Sequence, residues 1–354
     1  MESFTHDTNP ARIVFGTGQV SKLGDEVERL GCLRTLVVCT PGRTAMATEL
    51  SASLGDKRVA ICGEARMHVP MENAEIGRAA ARTHKADSVV SIGGGSAIGL
   101  GKAIALECDI PLLCVVTTYS GSEMTAACGM VEGGRKVHYT SPRMRPRAVI
   151  YDAELTVGLP PAIAGPSGFN AIAHGVGSLY RQSSTPMLRL TSLDGIRAMA
   201  GALPRIMADP GDLDARGEAL YGAWLCGMAA GGGSRSIHHK LAHVVGCSFD
   251  LPHAETHTIL LPHSTAYNSG HEPEAMAAIA KALNAKDGPE GLYALEQTVG
   301  TPTALKDIGM PEAGLDQAAD EAMQNPYPNP RPLDRAAIRA LLDNAWHGRP
   351  PSLV

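Results

Sequence analysis

Thirteen histidines stand among the 354 residues, and the spacing of a few polar side chains marks a place where they can act together. Asn170 and His174, in GFNAIAHGVGSLY, are four residues apart and share one face of a helix. His239 and His243, in HHKLAH, repeat that spacing, and His253 follows ten residues later in LPHAETHTILLPH. Imidazoles can polarise a carbonyl oxygen, deliver a proton near neutral pH or ligate a transition metal. A single histidine is more often a core or surface residue, so the group carries the weight. His257 and His263 are placed on the helix after His253, outside the leading set. His6, His68, His84, His138, His271 and His347 lack grouped partners and read as solvated or locally bonded.

A second feature precedes them. Ile92-Gly93-Gly94-Gly95-Ser96 closes an apolar run and opens a helical pattern containing Lys102, so backbone N–H groups converge there as a phosphate cradle. Glycine lets a pyrophosphate approach the backbone and accepts positive φ. The run is neither G-x-G-x-x-G nor a Walker motif, because Lys102 lies seven residues beyond Gly95, and a bare strand-to-helix turn would use such glycines equally well. Thr117-Thr118-Tyr119-Ser120-Gly121-Ser122-Glu123 follows the next apolar run and sets hydroxyls at the same sheet edge, where open α/β sheets bind ligands. Two polar strand exits together favour a nucleotide.

The elements that must position these groups differ between the two halves. Short apolar runs at residues 35–39, 59–62, 88–92, 112–116 and 148–151 alternate with helical patterns, which predicts a parallel α/β domain. Asn73 is expected to cap a helix running from Ala74 to His84, and Ala97 to Glu107 reads as another. After about Asp152, and from Pro160 and Pro161 onward, Ala-, Leu- and Met-rich segments with helical period take over, such as Ser192 to Leu203 and Arg216 to Ala230. The expectation is an α/β domain over residues 1–155, an all-α domain over 156–354, and an active site in the cleft between them.

Bulk properties narrow the class. Hydrophobic residues make up 44%, aromatics only 4% and charged residues 19%, so the core is expected to pack closely through small aliphatic side chains. A formal net charge of −5 with no Lys/Arg run argues against nucleic acid as a partner. No stretch reaches the roughly 18 apolar residues of a membrane span, and the first residues hold no signal-like apolar region, which predicts a cytoplasmic protein that does not engage a membrane. Eight cysteines without a Cys-x-x-Cys pair read as buried thiols.

GGGSAIGLGKAIAL (Gly93 to Leu106) and TTYSGSEMT (Thr117 to Thr125) resemble the two cofactor-side signatures of the iron-containing alcohol dehydrogenase superfamily. Its fold, a Rossmann-like parallel sheet followed by a helical domain, is shared with dehydroquinate synthase. Within the superfamily, Gly99 in place of an acidic residue, the TTYSGSEMT wording and NPYPNPRP (Asn325 to Pro332) are similar to the maleylacetate reductases. The resemblance implies that Gly94, Gly95 and Ser96 hold a pyrophosphate, that Thr117, Thr118 and Ser122 line the nicotinamide side, and that Pro41 and Gly42 lie near the adenosine. No carboxylate follows the strand before Pro41, and Arg43 is close, so NADPH is expected to serve as well as NADH. The resemblance also implies a homodimer.

In the superfamily an Asp and three His chelate iron or zinc, and the matching positions here are Asn170, His174, His239 and His253. An amide is a weak, neutral ligand, so no catalytic metal is expected; the alternative is a retained three-His site, whose ligand set is still chemically competent. The similarity to maleylacetate reductases implies reduction of the C=C of maleylacetate to 3-oxoadipate in aromatic-compound degradation. That substrate conjugates its alkene to a ketone, so negative charge can spread into an enolate stabilised by hydrogen-bond donors alone. His243 and His253 are expected to polarise the oxo group or donate the proton, with His174 and His239 completing the donor shell and Tyr119 a weaker candidate. Asn170, Arg235 and Arg331 are expected to hold the dicarboxylate. The rival expectations are a metal-dependent alcohol or polyol dehydrogenase, disfavoured by Asn170, a synthase or lyase on the same fold, and a binding protein without activity.

Overall fold

A computed structural model describes residues 11–180, 184–231 and 236–352. The chain forms two compact units, an α/β unit ending at Leu159 and a helical unit beginning at Pro160. The break falls a few residues after the expected one because the turn Ala153–Thr156 is tied back into the α/β unit. Asp152 caps that turn through Glu154 N, and its carboxylate also accepts Gly18 N at 3.1 Å and Val20 N at 3.0 Å.

In the α/β unit, β1 (Arg12–Phe15) is followed by α1 (Leu23–Arg29), β2 (Thr35–Val38), α2 (Thr44–Leu50), β3 (Arg58–Cys62), α3 (Met71–Thr83), β4 (Ser88–Gly93), α4 (Gly95–Cys108) and β5 (Leu112–Val116). A hairpin of β6 (Ala127–Glu132) and β7 (Arg135–Thr140) precedes β8 (Ala148–Tyr151). Among the described residues, six of these strands form one sheet in the order β1-β8-β5-β4-β2-β3, with every neighbouring pair parallel. Every residue of β2, β4, β5 and β8 is buried, as expected of strands covered on both faces, and this is why they read as continuous apolar runs. β1 and the hairpin were not expected. Each buries one residue, Val14 and Met130 respectively among those described, so neither shows such a run.

The helix expected to start after Asn73 starts at Met71 instead. Pro70, with extended backbone (φ −56°, ψ 140°), ends the preceding segment and stands at the N-cap without a side-chain cap, which leaves Asn73 inside the first turn. Lys102, on α4, is fully buried and bolts the loop after β5 in place: its Nζ donates to Ser122 O at 2.7 Å, Thr125 Oγ1 at 2.8 Å and Ala127 O at 2.9 Å. Three acceptors match the three donors of an ammonium. Burial pulls the Lys102 ammonium down and pushes the Glu123 carboxyl up; their mutual attraction opposes both shifts, and the Tyr151 hydroxyl, 2.8 Å from Glu123 Oε1, opposes the second.

The helical unit comprises α5 (Pro161–Leu179), α6 (Pro186–Ala208), α7 (Leu213–Ala230), α8 (Ile237–Ser248), α9 (His253–Asn268), α10 (Pro273–Ala282), α11 (Gly288–Val299), α12 (Gly314–Ala322) and α13 (Arg335–His347). The segments expected at Ser192–Leu203 and Arg216–Ala230 lie within α6 and α7. Leu241 and Val245 of α8 and Ile259 and Leu260 of α9 share one apolar cluster with Leu315, Ile338 and Leu342 of α12 and α13, which fixes how the polar faces of α8 and α9 are presented. Among the described residues, no helix is long and apolar enough to cross a membrane.

Glu296, on α11, is 1% exposed, its Oε1 has no hydrogen-bond partner among the described residues, and burial pushes its carboxyl well above the ordinary range. A raised folded-state value favours the protonated form. The stability it permits is therefore full below the unfolded carboxyl value and is lost as pH rises through the folded one. Glu296→Met is expected to stabilise the fold by about 1–3 kcal/mol at pH 8, by the usual cost of an uncompensated buried polar group. In thermal melts the gain should shrink towards pH 4; a gain that does not vary with pH contradicts the assignment.

Candidate functional site

The parallel sheet puts the exits of β5, β4 and β2 side by side at one edge. From β2 the chain runs outward to β3, and from β4 it runs the other way to β5, so the order reverses between β2 and β4. A reversal of this kind opens a crevice beyond the strand ends, where doubly wound sheets bind nucleotides. Gly94, Gly95 and Ser96 lie at the β4 exit, and Pro41 and Gly42 at the β2 exit. The latter form an exposed tight turn closed by Arg43 N to Thr40 O at 3.1 Å, with Gly42 at φ +77°.

α4 starts at Gly95 behind Gly94, and no side chain caps its first N–H groups. Those groups and the helix dipole favour an anion. A Cβ at Gly94 would stand 2.5 Å from Thr118, so the two polar loops already touch, and Thr117 N donates to Gly93 O at 3.2 Å. Thr118 Oγ1 is buried without a partner among the described residues. An uncapped helix start, a glycine cradle and an orphaned hydroxyl beside it fit a dinucleotide. Ser122 is tied down through its carbonyl by Lys102, and Tyr119 is fully buried.

Gly99 has its own steric reason. A Cβ there would meet Val69 Cγ2 at 2.5 Å, so Val69 occupies the room an acidic side chain would need. Val69 is held at φ +49°, a costly conformation for a β-branched residue, and Val131 N donates to its carbonyl at 3.1 Å.

In the helical unit, α5 carries Asn170 and His174, α8 carries His238, His239 and His243, and α9 carries His253, His257 and His263. His174 stacks on His239 with ring centroids 5.4 Å apart. His257 lies 4.5 Å from His253, 4.9 Å from His238, 5.4 Å from His239 and 6.3 Å from His243, so the structure gathers the expected histidines around one left outside the leading set. His238 was missed altogether. His253 and His257 repeat the four-residue spacing of the other pairs, and that signal was available. His174, His243 and His253 are half-buried, whereas His238, His239, His257 and His263 are buried.

His238 Nδ1 is 3.0 Å from Ser264 Oγ, and its Nε2 is 2.9 Å from His257 Nδ1; Ser264 Oγ in turn reaches Leu261 O at 3.1 Å. A carbonyl can only accept. If each short contact is to hold one hydrogen, Ser264 donates to Leu261, His238 donates from Nδ1 to Ser264, and His257 donates from Nδ1 to His238. His257 Nε2 is then a lone pair, and it has no partner among the described residues. Burial, reinforced by His174, pushes His238 down to about 3; burial and the surrounding imidazoles push His257 well below the ordinary histidine value, and burial takes His263 to about 4.

The NPYPNPRP segment packs on the same helices. Tyr327 Oη is 3.3 Å from His243 Nδ1. Asn329 exchanges two amide hydrogen bonds with Asn268, at 2.7 and 3.1 Å, and accepts Ile237 N at 3.3 Å. Arg331 lies over the Tyr267 ring, 4.1 Å from its centroid, and donates to Tyr267 O at 3.3 Å. Arg235 lies outside the described residues.

Asn170 weakens the donor set for a divalent transition metal, because a neutral amide oxygen is a poorer ligand than a carboxylate. The family's anionic ligand is replaced by the amide of Asn170, which is 7% exposed on α5, and among the described residues no three His, Cys, Asp or Glu side chains are arranged to hold an ion.

Residues 10–153 match the iron-containing alcohol dehydrogenase family, and residues 165–346 match the C-terminal part of that family. A maleylacetate reductase of Burkholderia cepacia is 48% identical over 99% of this chain and 100% of its own. The crystal structures of maleylacetate reductases from a Rhizobium species and from Agrobacterium tumefaciens superpose with TM-scores of 0.94 each, at 45% and 44% identity, over 99% of this chain and all of theirs. The chain belongs to the iron-containing alcohol dehydrogenase family of oxidoreductases, alongside its maleylacetate reductases.

Proposed function

We propose that the protein reduces the carbon–carbon double bond of maleylacetate to give 3-oxoadipate, using NADH or NADPH and no catalytic metal. The observation that carries this is the replacement of an anionic ligand by Asn170, four residues from His174 in a histidine cluster whose inner rings burial keeps neutral, in a chain whose full-length relatives are named for that reaction. A reduced nicotinamide, when bound, supplies the hydride.

The work left to the chain is to bind, to orient and to manage charge. Gly94, Gly95 and Ser96 hold the pyrophosphate with the free N–H groups of α4; Thr117, Thr118 and Ser122 line the nicotinamide; Pro41 and Gly42 flank the adenosine, where exposed Arg43 can meet a 2′-phosphate. His243 and His253, on the accessible side of the cluster, face the oxo group, and His174 and His239 complete the donor shell. Arg331 keeps N–H groups for a carboxylate while its face rests on Tyr267; Arg235 and the Asn170 amide join it in this proposal. Tyr119, whose side chain is fully buried, stays the weaker candidate for proton donation in this proposal.

Charge decides the chemistry. Reducing an isolated carbonyl puts a full negative charge on one oxygen, which calls for a Lewis acid. Saturating an alkene conjugated to a ketone yields an enolate, and oriented N–H donors suffice. A homodimer and a cytoplasmic location are proposed with this function on the resemblance alone; light scattering tests the first.

Purified protein dialysed against EDTA is expected to retain its full maleylacetate-dependent oxidation of NADH, followed by absorbance. Loss of activity that Fe²⁺ or Zn²⁺ restores overturns the metal-free mechanism. His243→Ala should lower kcat by about 10²–10⁴-fold, the usual worth of a positioned acid–base group, with an unchanged thermal melt. A variant within twofold of the parent removes His243 from the chemistry.

A further inference from the structure

We infer that Tyr327 is a positioning residue that fixes the donor nitrogen of His243 and passes protons to it from solvent. This rests on the function proposed above. The hydroxyl of Tyr327 is 3.3 Å from His243 Nδ1, and the two rings stand edge to face at 82° with centroids 6.1 Å apart. A phenol donating to Nδ1 leaves His243 with its hydrogen on Nε2, on the opposite side of the ring.

The loop is built to hold that geometry. Pro326, Pro328, Pro330 and Pro332 restrict its backbone on either side of Tyr327 and Asn329. Both amide groups of Asn329 are used: Oδ1 accepts Ile237 N and Asn268 Nδ2, and Nδ2 donates to Asn268 Oδ1 and Arg331 O. Ile237 is the first residue of α8 and Asn268 the last of α9, so one side chain registers the loop against both histidine helices. The Tyr267 hydroxyl secures the far end, donating to Pro332 O at 2.8 Å and accepting Asp334 N at 3.0 Å.

Tyr327 and His243 are both half-buried, whereas the Ser264–His238–His257 chain is buried and ends on a backbone carbonyl. A carbonyl has no proton to give, so that chain delivers none. Half-buried Tyr327, beside His243, stands where solvent can supply one. In the proposed step the enolate electron pair forms a C–H bond with the proton on His243 Nε2, Nδ1 takes the phenolic proton, and water returns a proton to the Tyr327 oxygen, leaving hydroxide to the bulk buffer; after product release Nε2 takes a proton from solvent and Nδ1 gives one up, which restores the starting tautomer. The product's other new hydrogen, with its electron pair, comes from the nicotinamide.

The test is the single-turnover rate of NADH oxidation with maleylacetate for the parent and Tyr327→Phe, each measured across H₂O/D₂O mixtures. The parent should show a curved dependence on deuterium fraction, reflecting two protons in flight. Tyr327→Phe, which removes one oxygen atom and leaves the ring in place, should be slower by tenfold or more, with KM within twofold and a linear dependence. A parent that is already linear, or a variant that keeps the parent's curvature or rate, overturns the inference while leaving the proposed function standing. A parent that does not oxidise NADH with maleylacetate overturns that function itself.

Discussion

The imidazoles of α8 and α9 are packed ring against ring, and the groups that bear most on His238 and His257 are burial and other imidazoles. A cation left unpaired at such a depth costs several kcal/mol, so the inner histidines are confined to their neutral forms. Neutral imidazole has one donor and one acceptor. Which nitrogen plays which part is then set from outside, by the carbonyl of Leu261 at one end of the chain and the phenol of Tyr327 over His243. Asn170 fits the same regime, because a carboxylate there would draw charge into the cluster or recruit a cation to balance it.

The nucleotide side depends on a different economy of space. The β4 and β5 loops approach so closely that no side chain can stand at Gly94, and the loop after β5 keeps its course because a buried ammonium on α4 holds three of its oxygens. Lys102 is thus a structural tie within the fold rather than a phosphate ligand. Val69, strained and wedged against Gly99, shows the same closeness: the acidic residue of related dehydrogenases has nowhere to go here.

Much of this was legible in the residues. Buried parallel strands announce themselves as apolar runs, and the glycine and threonine exits stand next to them. The hairpin was not found, although Gly133 and Gly134, both at positive φ, join its two strands; neither strand is apolar enough to stand out. The sequence places five residues in the cluster because the four-residue spacing selects Asn170/His174 and His239/His243, with His253 taken singly from the third segment. His257 completes an i, i+4 pair with His253, and His238 is legible only once α8 and α9 face each other, since its partner lies nineteen residues away. Tyr327 and Asn329 carry no local signal at all: their roles come from contacts with α8 and α9 formed across more than sixty residues of chain.

The account turns on neutral, direction-locked imidazoles, and nitrogen NMR reads that property directly. In protein labelled with ¹⁵N at histidine, the one- and two-bond couplings of His238 and His257 should report neutral rings protonated at Nδ1, unchanged between pH 5.5 and 8, a window on either side of the ordinary histidine value of about 6.5. An imidazolium signal within that range, or a hydrogen on Nε2 of His257, contradicts it.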